Sequence, residues 1–470
     1  ITATDTLFVV FLALSGLSAL FATNHWLAQR ALGLSVSSAL VFWATRRIAR
    51  QDGTRGLLIA AALATVVAAA SALLQAYGVD TDLFTLARAP GGTLGNRNFI
   101  AHICAIGLPS IVWCTVTARR EIGALVGSVG MAIVSATLVL SRSRAAWLAL
   151  LASLVILALL LFASRKYWSR EIVGGRLARL ALAGSIGAIL SVTLPNSLHW
   201  TSDSPYLDSA RGVVDYTKGS GGGRVAQYRN SLKMAVSHPI FGVGPGNWPV
   251  RYVQYAPRGD RSITDDNTTA NPWPSSDWVA FVSERGLIAT LALLGVFGGL
   301  FVASIRKWKE APDPDAVLLK IALAATITAA IIVSCFDAAL LLAAPAFLVW
   351  GILGAASGGS RSASAEGGHQ LDLSSTRWSV IAAATMIIVA LSVARSATET
   401  TAMTVIGYGG QTANWARGAA WDPGSYRINA RVAELYANRG RCAKARPFAK
   451  QAARLFPSAV TPKRVLRRCG

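Results

Sequence analysis

The sequence predicts an all-α membrane protein: a polytopic bundle of about eleven transmembrane helices, a large loop outside the membrane and a small helical tail. Of the 470 residues, 53% are hydrophobic and 14% are charged, whereas soluble proteins carry about 25% charged residues. The apolar residues form continuous runs that reach the roughly 17–25 residues needed to cross a bilayer. Charged residues are concentrated between these runs, as expected if the runs face lipid rather than one oversized soluble core.

The membrane-spanning segments are predicted directly from the apolar runs. They are 4–22, 28–45, 57–78, 99–118, 122–140, 145–163, 180–195, 279–304, 317–335, 338–357 and 378–395. Several are rich in Gly, Ala and Ser, as helix interfaces in lipid tend to be. The chain is therefore predicted to have four consecutive parts: seven spans in 1–195, a large loop in 196–278, four spans in 279–397 and a tail in 398–470.

Basic residues in the short loops predict the orientation of the bundle. On the side of the N-terminus these residues are Arg46, Arg47, Arg50, Arg55, Arg119, Arg120, Arg165, Lys166, Arg170, Arg176, Arg179, Arg306, Lys307, Lys309, Arg361 and Arg377. Because short cytoplasmic loops accumulate Arg and Lys, this side is predicted to be cytoplasmic, and the large loop and the tail to lie outside. The same rule accounts for the net charge of +22, so no nucleic-acid partner is expected.

The loop 196–278 is too long for a simple connector, because loops beyond about 15 residues are usually functional or disordered. Its aromatic residues and amphipathic pattern predict an ordered structure, with a helix over 224–236. The stretch 357–376 is instead a Gly/Ser-rich linker that is predicted to be mobile. The long loop is therefore expected to carry functional residues.

The tail resembles a tetratricopeptide repeat. Pro423 and Pro457 are 34 residues apart, which is the period of that repeat. The small, aromatic and terminating residues of such a repeat correspond to Ala433, Tyr436, Gly440, Ala445, Ala452 and Pro457. One complete repeat is too short to be stable alone, so the tail is predicted to dock on the membrane domain or on a protein partner.

The five cysteines fall into two groups. Cys104, Cys114 and Cys335 lie in apolar segments and are expected to be small buried hydrophobic residues. Cys442 and Cys469 lie in the tail, and a disulfide between them is predicted because an outer tail lies in an oxidising compartment. No Cys/His spacing is typical of a zinc site, and the first apolar run lacks the basic leader and cleavage site of a signal peptide.

Arginines on the predicted outer side are the first candidate functional residues. Arg142 and Arg144 occur in SRSRAAW, where an arginine near the membrane costs roughly 2.5–3.5 kcal/mol and usually has a partner or a function. Snorkelling to lipid headgroups is the structural alternative. Arg224 and Arg229 follow a Gly-rich stretch of the long loop, and guanidinium groups bind phosphate oxygens in bidentate fashion.

Candidate acid–base groups occur further along the long loop. His238 begins HPIFGVGPGNW, whose glycines allow tight turns, and a capping role in a turn is the alternative for this histidine. Ser275 and Asp277 occur in NPWPSSDW, just before a helix that contains SERGLI. N-cap chemistry alone would explain these polar residues.

Together these motifs resemble the O-antigen ligase and polymerase superfamily of membrane glycosyltransferases. The resemblance covers GTLGNRNF before the fourth span, SRAAW after the fifth, HPIFGVGPGN and SERGLI. It implies metal-independent, inverting transfer of a glycan from an undecaprenyl-pyrophosphate carrier to a lipid or glycan acceptor at the periplasmic face of a bacterial inner membrane, without a cofactor. It also implies that Arg144 and Arg224, with Arg142 and Arg229 as neighbours, bind the donor pyrophosphate.

The chain departs from the ligase pattern at the proposed base. Ligases carry a His-Asn pair about eleven residues before the glycine that matches Gly286, and this chain has Ser275 and Ser276 there. Because serine is not a base at neutral pH without help, either Asp277 or His238 takes that role, with Asp277 preferred. The alternative function is that of a non-catalytic structural subunit of a membrane assembly, with the tail and the loop as docking surfaces.

Single-cysteine labelling tests the predicted orientation. In a background without native cysteines, an impermeant thiol reagent applied from outside should label positions 215 and 415 and should miss positions 53 and 365. A membrane-permeable reagent, which should label all four positions, controls for expression and reactivity. Labelling at position 53 from outside would overturn the orientation and the location of the predicted site.

Overall fold

A computed structural model of the chain describes residues 2–85, 88–200, 202, 204–212, 219–306, 308, 311, 313–360, 375–407 and 411–470. Within these ranges the secondary structure is helical, and the β pairing is limited to one isolated bridge between Ile263 and Thr269. The all-α prediction is therefore confirmed. Lys307, Lys309 and most of the predicted linker 357–376 lie outside the described residues.

The helices are given in chain order. They are α1 (Ala3–Ala19), α2 (His25–Ile48), α3 (Thr54–Ala76), α4 (Arg97–Val116), α5 (Glu121–Ser141), α6 (Arg144–Ala163), α7 (Arg170–Thr193), α8 (Pro205–Arg211), α9 (Gly219–Ser237), α10 (Trp248–Arg251), α11 (Asp277–Arg285), α12 (Leu287–Ile305), α13 (Pro314–Phe336), α14 (Ala343–Gly359), α15 (Ser375–Ile406), α16 (Thr412–Trp421), α17 (Tyr426–Asn438), α18 (Cys442–Leu455) and α19 (Val460–Arg468).

Seven helical segments of the described chain are long and apolar enough to cross a membrane. They are His25–Ala76, α4, α5, α6, α7, α12 and α13. The first segment contains both α2 and α3, which meet at a kink where Asp52 has a φ of +63°. Two further apolar helices, α1 and α14, are shorter, and α15 covers the last predicted span. A helix is therefore present at each predicted position of the polytopic bundle.

The predicted span 279–304 is wrong in its boundaries, because it contains two helices. Gly286 separates α11 from α12 with a φ of +84° and a ψ of 171°, a conformation that a helix interior does not allow. The predicted span 338–357 also begins too early, since α14 starts at Ala343. Pro345 then falls in the first turn, where the missing N–H has no helical partner to lose.

The chain folds into two compact units that interleave in sequence. The first unit comprises 1–37, 222–293 and 369–470. The second comprises 38–221 and 294–368. The four consecutive parts expected from the sequence remain a prediction about membrane topology, since packing groups the same residues differently.

In the first unit, the glycine-rich segment after α9 pairs with the end of α11. The backbone N–H of Val243 donates to the Ser283 carbonyl over 3.0 Å, and that of Gly244 donates to the Glu284 carbonyl over 2.9 Å. The Glu284 carboxylate accepts the backbone N–H of Gly246 at 2.8 Å. Because Glu284 is only 2% exposed, these bonds join the loop to the α11–α12 junction out of contact with water.

Two glycines make this close approach sterically feasible. A Cβ at Gly242 would lie 2.2 Å from the Glu284 carbonyl carbon, and one at Gly286 would lie 2.1 Å from the Ile240 carbonyl oxygen. Both glycines also have positive φ, which side chains rarely adopt. Backbone packing therefore requires glycine at each of these positions.

A reciprocal pair of asparagines attaches the same loop to the start of α2. Asn24 donates its backbone N–H to Oδ1 of Asn247 over 2.7 Å, and Nδ2 of Asn247 donates to the Asn24 carbonyl over 3.1 Å. Oδ1 of Asn24 accepts the backbone N–H groups of Trp26 and Leu27, which caps α2. Both asparagines are buried, so each bond replaces one that water would have made.

The tail is a helical module fastened to the long loop. One of its core clusters includes four small residues of α17 and α18: Ala433, Ala437, Ala445 and Ala449. A disulfide joins Cys442 to Cys469, whose Cα atoms are 5.1 Å apart, and so connects α18 to the end of α19. Asp266 of the loop accepts the N–H of Thr461 over 2.7 Å and the hydroxyl proton of Tyr426. The tetratricopeptide likeness itself remains a prediction.

A glycine substitution tests the junction between α11 and α12. Gly286→Ala should lower the free energy of unfolding by about 3 kcal/mol, because the new Cβ meets the Ile240 carbonyl and the required backbone conformation is strained. Gly298→Ala is the matched control, since a Cβ there meets nothing within 4 Å and alanine favours a helix. Thermal unfolding of both variants in detergent gives the comparison, and equal melting temperatures would contradict the packing argument.

Candidate functional site

The SRSRAAW motif forms the turn between α5 and α6 in the second unit. Arg142 ends α5 with a φ of +53°, a left-handed conformation that is uncommon for residues other than glycine. Arg144 begins α6, and the indole N–H of Trp147 donates to the Leu138 carbonyl of α5 over 2.8 Å. The motif thus places two arginines at one end of two apolar helices, with Trp147 holding the helices together.

Both arginines contact the region around α8. Nε of Arg142 donates to Oγ of Ser209 over 2.8 Å, and its guanidinium lies 4.6 Å from the centre of the Trp200 ring. Arg144 donates to the carbonyl oxygen of Gly212, just after α8. These contacts direct the arginines to protein groups of the loop, whereas the snorkelling alternative would direct them to lipid headgroups.

A third arginine belongs to the same cluster. Arg97 begins α4, where Asn96 caps the helix, and its guanidinium lies 5.3 Å from the centre of the Trp200 ring. Arg97 is part of the GTLGNRNF motif, but sequence reasoning assigned it no role, and it missed Trp200 entirely. An arginine at the end of an apolar helix was the signal available for Arg97, while Trp200 was one aromatic residue among many.

The cluster carries an excess of positive charge. Burial lowers the pKa of Arg142 below its ordinary value, Asp208 and Tyr206 oppose that change, and Arg144 adds to it by repulsion. Arg97 is in turn close enough to Arg142 for electrostatic repulsion. Guanidinium groups gathered in this way are well suited to bind a dianionic group such as a phosphate or a pyrophosphate.

In the first unit, α9 supports the segment that precedes α11. The Ser275 hydroxyl donates to Oε1 of Gln227 over 3.1 Å, and the Tyr228 hydroxyl donates to the Ser275 carbonyl. Arg224 lies one helical turn before Tyr228 and is half-buried, whereas Arg229 is exposed. The structure therefore brings the helix of Arg224 to Ser275, through two residues that sequence reasoning did not select.

Asp277 is a buried residue in the first turn of α11. Ser276 is the N-cap of α11, accepting the backbone N–H of Val279 at 3.4 Å, and Asp277 follows it with 0% exposure. Asp277 interacts electrostatically with Arg285, another buried residue, which packs 4.6 Å from the centre of the Phe281 ring. Glu284 is the larger electrostatic partner of this guanidinium, and Asp277 adds to the balance of the buried cation.

His238 lines an open cavity of about 370 Å³ in the first unit. The other lining residues are Phe21, Pro239, Ile240, Phe241, Gly242, Val243 and Arg251. Nε2 of His238 lies 3.1 Å from the Tyr255 hydroxyl, which orients the ring. Burial lowers the pKa of His238 below its ordinary value and Arg251 lowers it further, so both favour the neutral form of the imidazole. A neutral imidazole beside a cavity can accept a proton.

Residues 129–294 match the family model described as O-antigen ligase. The chain carries an O-antigen ligase domain. The superfamily predicted from the motifs is therefore confirmed, in a polytopic helical membrane protein. No curated protein matches the chain at a significant level.

The O-antigen ligase domain includes all the arginine and acid–base residues selected from the sequence. Arg142 and Arg144 lie in the second unit. The first unit holds the others, which are Arg224, Arg229, His238, Ser275 and Asp277. Within that unit His238 lines the cavity, and Ser275 and Asp277 are not among its lining residues.

Proposed function

We propose that this O-antigen ligase domain transfers a glycan from an undecaprenyl-pyrophosphate carrier to a lipid or glycan acceptor at the periplasmic face of a bacterial inner membrane. The observation that carries the proposal is the cluster of Arg97, Arg142 and Arg144. A lipid pyrophosphate becomes more negative as it leaves, and fixed guanidinium groups stabilise that developing charge. Arg224 is proposed to contribute to the same function from α9.

The proposed reaction is a single displacement with inversion. The acceptor hydroxyl oxygen forms a bond to the anomeric carbon while the bond from that carbon to the pyrophosphate oxygen breaks. The electron pair of the broken bond stays on the pyrophosphate, where the arginines stabilise it, and the hydroxyl proton passes to a base. A positioned general base contributes typically about 10²–10⁴-fold to such a step.

His238 is the base that the geometry favours over Asp277. His238 borders a cavity that an acceptor can enter, whereas Asp277 is fully buried and, together with Glu284, balances Arg285. The Ser275 hydroxyl donates a hydrogen bond to Oε1 of Gln227 and lacks basicity at neutral pH. His238 is thus assigned proton removal, while Asp277 and Ser275 maintain the shape of the segment before α11.

Arginine substitutions test the donor site. Arg142→Ala and Arg144→Ala should each lower transfer by about 100-fold or more, because each removes a charge from the leaving group. Lysine at the same positions should restore little, since it lacks the planar bidentate geometry. Arg211→Ala on α8 is the control, because Arg211 is exposed and lies outside the cluster. Transfer at the wild-type rate in the alanine variants would remove the donor-site assignment.

The pH profile tests the base. Transfer should be constant above about pH 7 and should fall with acidification below the ordinary histidine pKa of about 6.5, because burial and Arg251 lower the pKa of His238 and only the neutral ring accepts a proton. The transfer rate of the His238→Ala variant should be lower by about 10²-fold or more, and it should no longer fall with acidification. Asp277→Asn should instead lower the yield of folded protein while sparing turnover per folded molecule.

Loss of turnover in Asp277→Asn protein of normal stability would move the base to Asp277. Absence of transfer by folded wild-type protein with every lipid-linked donor supplied would favour the structural-subunit alternative. Purified protein in detergent with a lipid-linked donor is the system for both measurements.

A further inference from the structure

The cavity beside His238 has one apolar wall. Phe21 and Phe241 stack with ring centres 5.1 Å apart, and Ile240 extends the wall with 54% of its surface exposed. Phe21 lies just past the end of α1, an apolar helix of the same unit. The volume of about 370 Å³ lies in the range of small-molecule sites. This wall is therefore suited to the apolar part of a membrane-anchored molecule.

Arg251 supplies a positive charge to the same cavity. Its side chain is half-buried and forms no hydrogen bond or ion pair with any residue that the structure describes. A half-buried cation that forms no ion pair with a described residue is a favourable place for an anion. Its charge also acts on His238, so a ligand held by Arg251 lies near the proposed base.

The positions of both polar residues are set by packing. Met234 of α9, Trp248 of α10 and Tyr252 form one buried cluster, in which the two aromatic rings are 4.5 Å apart. His238 follows α9 directly and Arg251 ends α10, so this cluster holds the two side chains on fixed supports. A site built this way binds without reorganising its backbone.

We propose that this cavity binds the acceptor, and that the acceptor is an amphiphile whose anionic group, a phosphate or a carboxylate, is recognised by Arg251. The role of this ligand as the acceptor rests on the proposed function. Arg251 is a specificity-determining residue, and His238 removes the proton from a hydroxyl near the bound anion. The apolar wall of Phe21, Ile240 and Phe241 takes the lipid part of the same molecule.

Direct binding tests the cavity without requiring turnover. Full-length protein in neutral detergent is titrated with dodecyl phosphate, inorganic phosphate and dodecyl glucoside, and binding is measured by thermal shift. Dodecyl phosphate should bind most tightly. Arg251→Gln should weaken it about tenfold or more, and Arg251→Lys should retain most of the affinity because charge is kept. Arg258→Gln, which changes an exposed arginine of the same loop, is the matched control and should bind normally.

The remaining outcomes each overturn part of the proposal. If dodecyl glucoside binds as tightly as dodecyl phosphate and Arg251→Gln changes neither affinity, the cavity is only an apolar groove. Equal binding of inorganic phosphate would show a free-anion site alone.

In transfer assays Arg251→Gln should raise the KM for the acceptor about tenfold with kcat retained. If Arg251→Gln loses dodecyl phosphate binding but leaves the KM for the acceptor unchanged, the cavity binds a bulk phospholipid headgroup and not the acceptor. The donor-site variants would still test the transfer reaction independently.

Discussion

The buried carboxylate of Glu284 is the interaction on which the first unit depends. It accepts the backbone N–H groups of Gly246 and Trp248, at 2.8 and 3.1 Å, and so bonds the start of α10 to the end of α11. A buried carboxylate without partners would be strongly destabilising, so these bonds specify one position for the loop. Because α10 ends at Arg251, the same carboxylate sets where the cationic side of the cavity lies.

The glycines around that carboxylate act through sterics. Gly242 and Gly286 adopt positive φ and bring two backbone segments closer than a Cβ would permit. The motif residues of HPIFGVGPGN and SERGLI are therefore explained largely by their contacts with each other. Within the first motif, His238 brings a titratable side chain to the cavity, beside the apolar side chains of Ile240 and Phe241, which separates its role from that of the neighbouring glycines.

Arginine serves three physical purposes in this protein. Arg285 is buried beside the rings of Phe11 and Phe281 and balanced by Glu284 and Asp277, as expected for a structural cation. Arg142 contacts an aromatic ring and lies close to other arginines. This concentration of positive charge suits a dianionic ligand. Arg251 borders an apolar wall beside a histidine, which suits one anionic group on an amphiphile. Burial and neighbours distinguish these roles, and residue type alone does not.

The sequence by itself determined the membrane class, the positions of the apolar helices and the ligase family, because run length, helical periodicity and local motifs are properties of short segments. It also singled out Cys442 and Cys469, which the fold joins. The tertiary structure alone decided that Asp277 is buried against a cation, that Arg97 joins the arginine cluster, and that Arg251 borders the cavity of His238. Those facts depend on how the helices pack and on contacts between residues far apart in the chain, such as Arg97 with Trp200, and no local pattern encodes them.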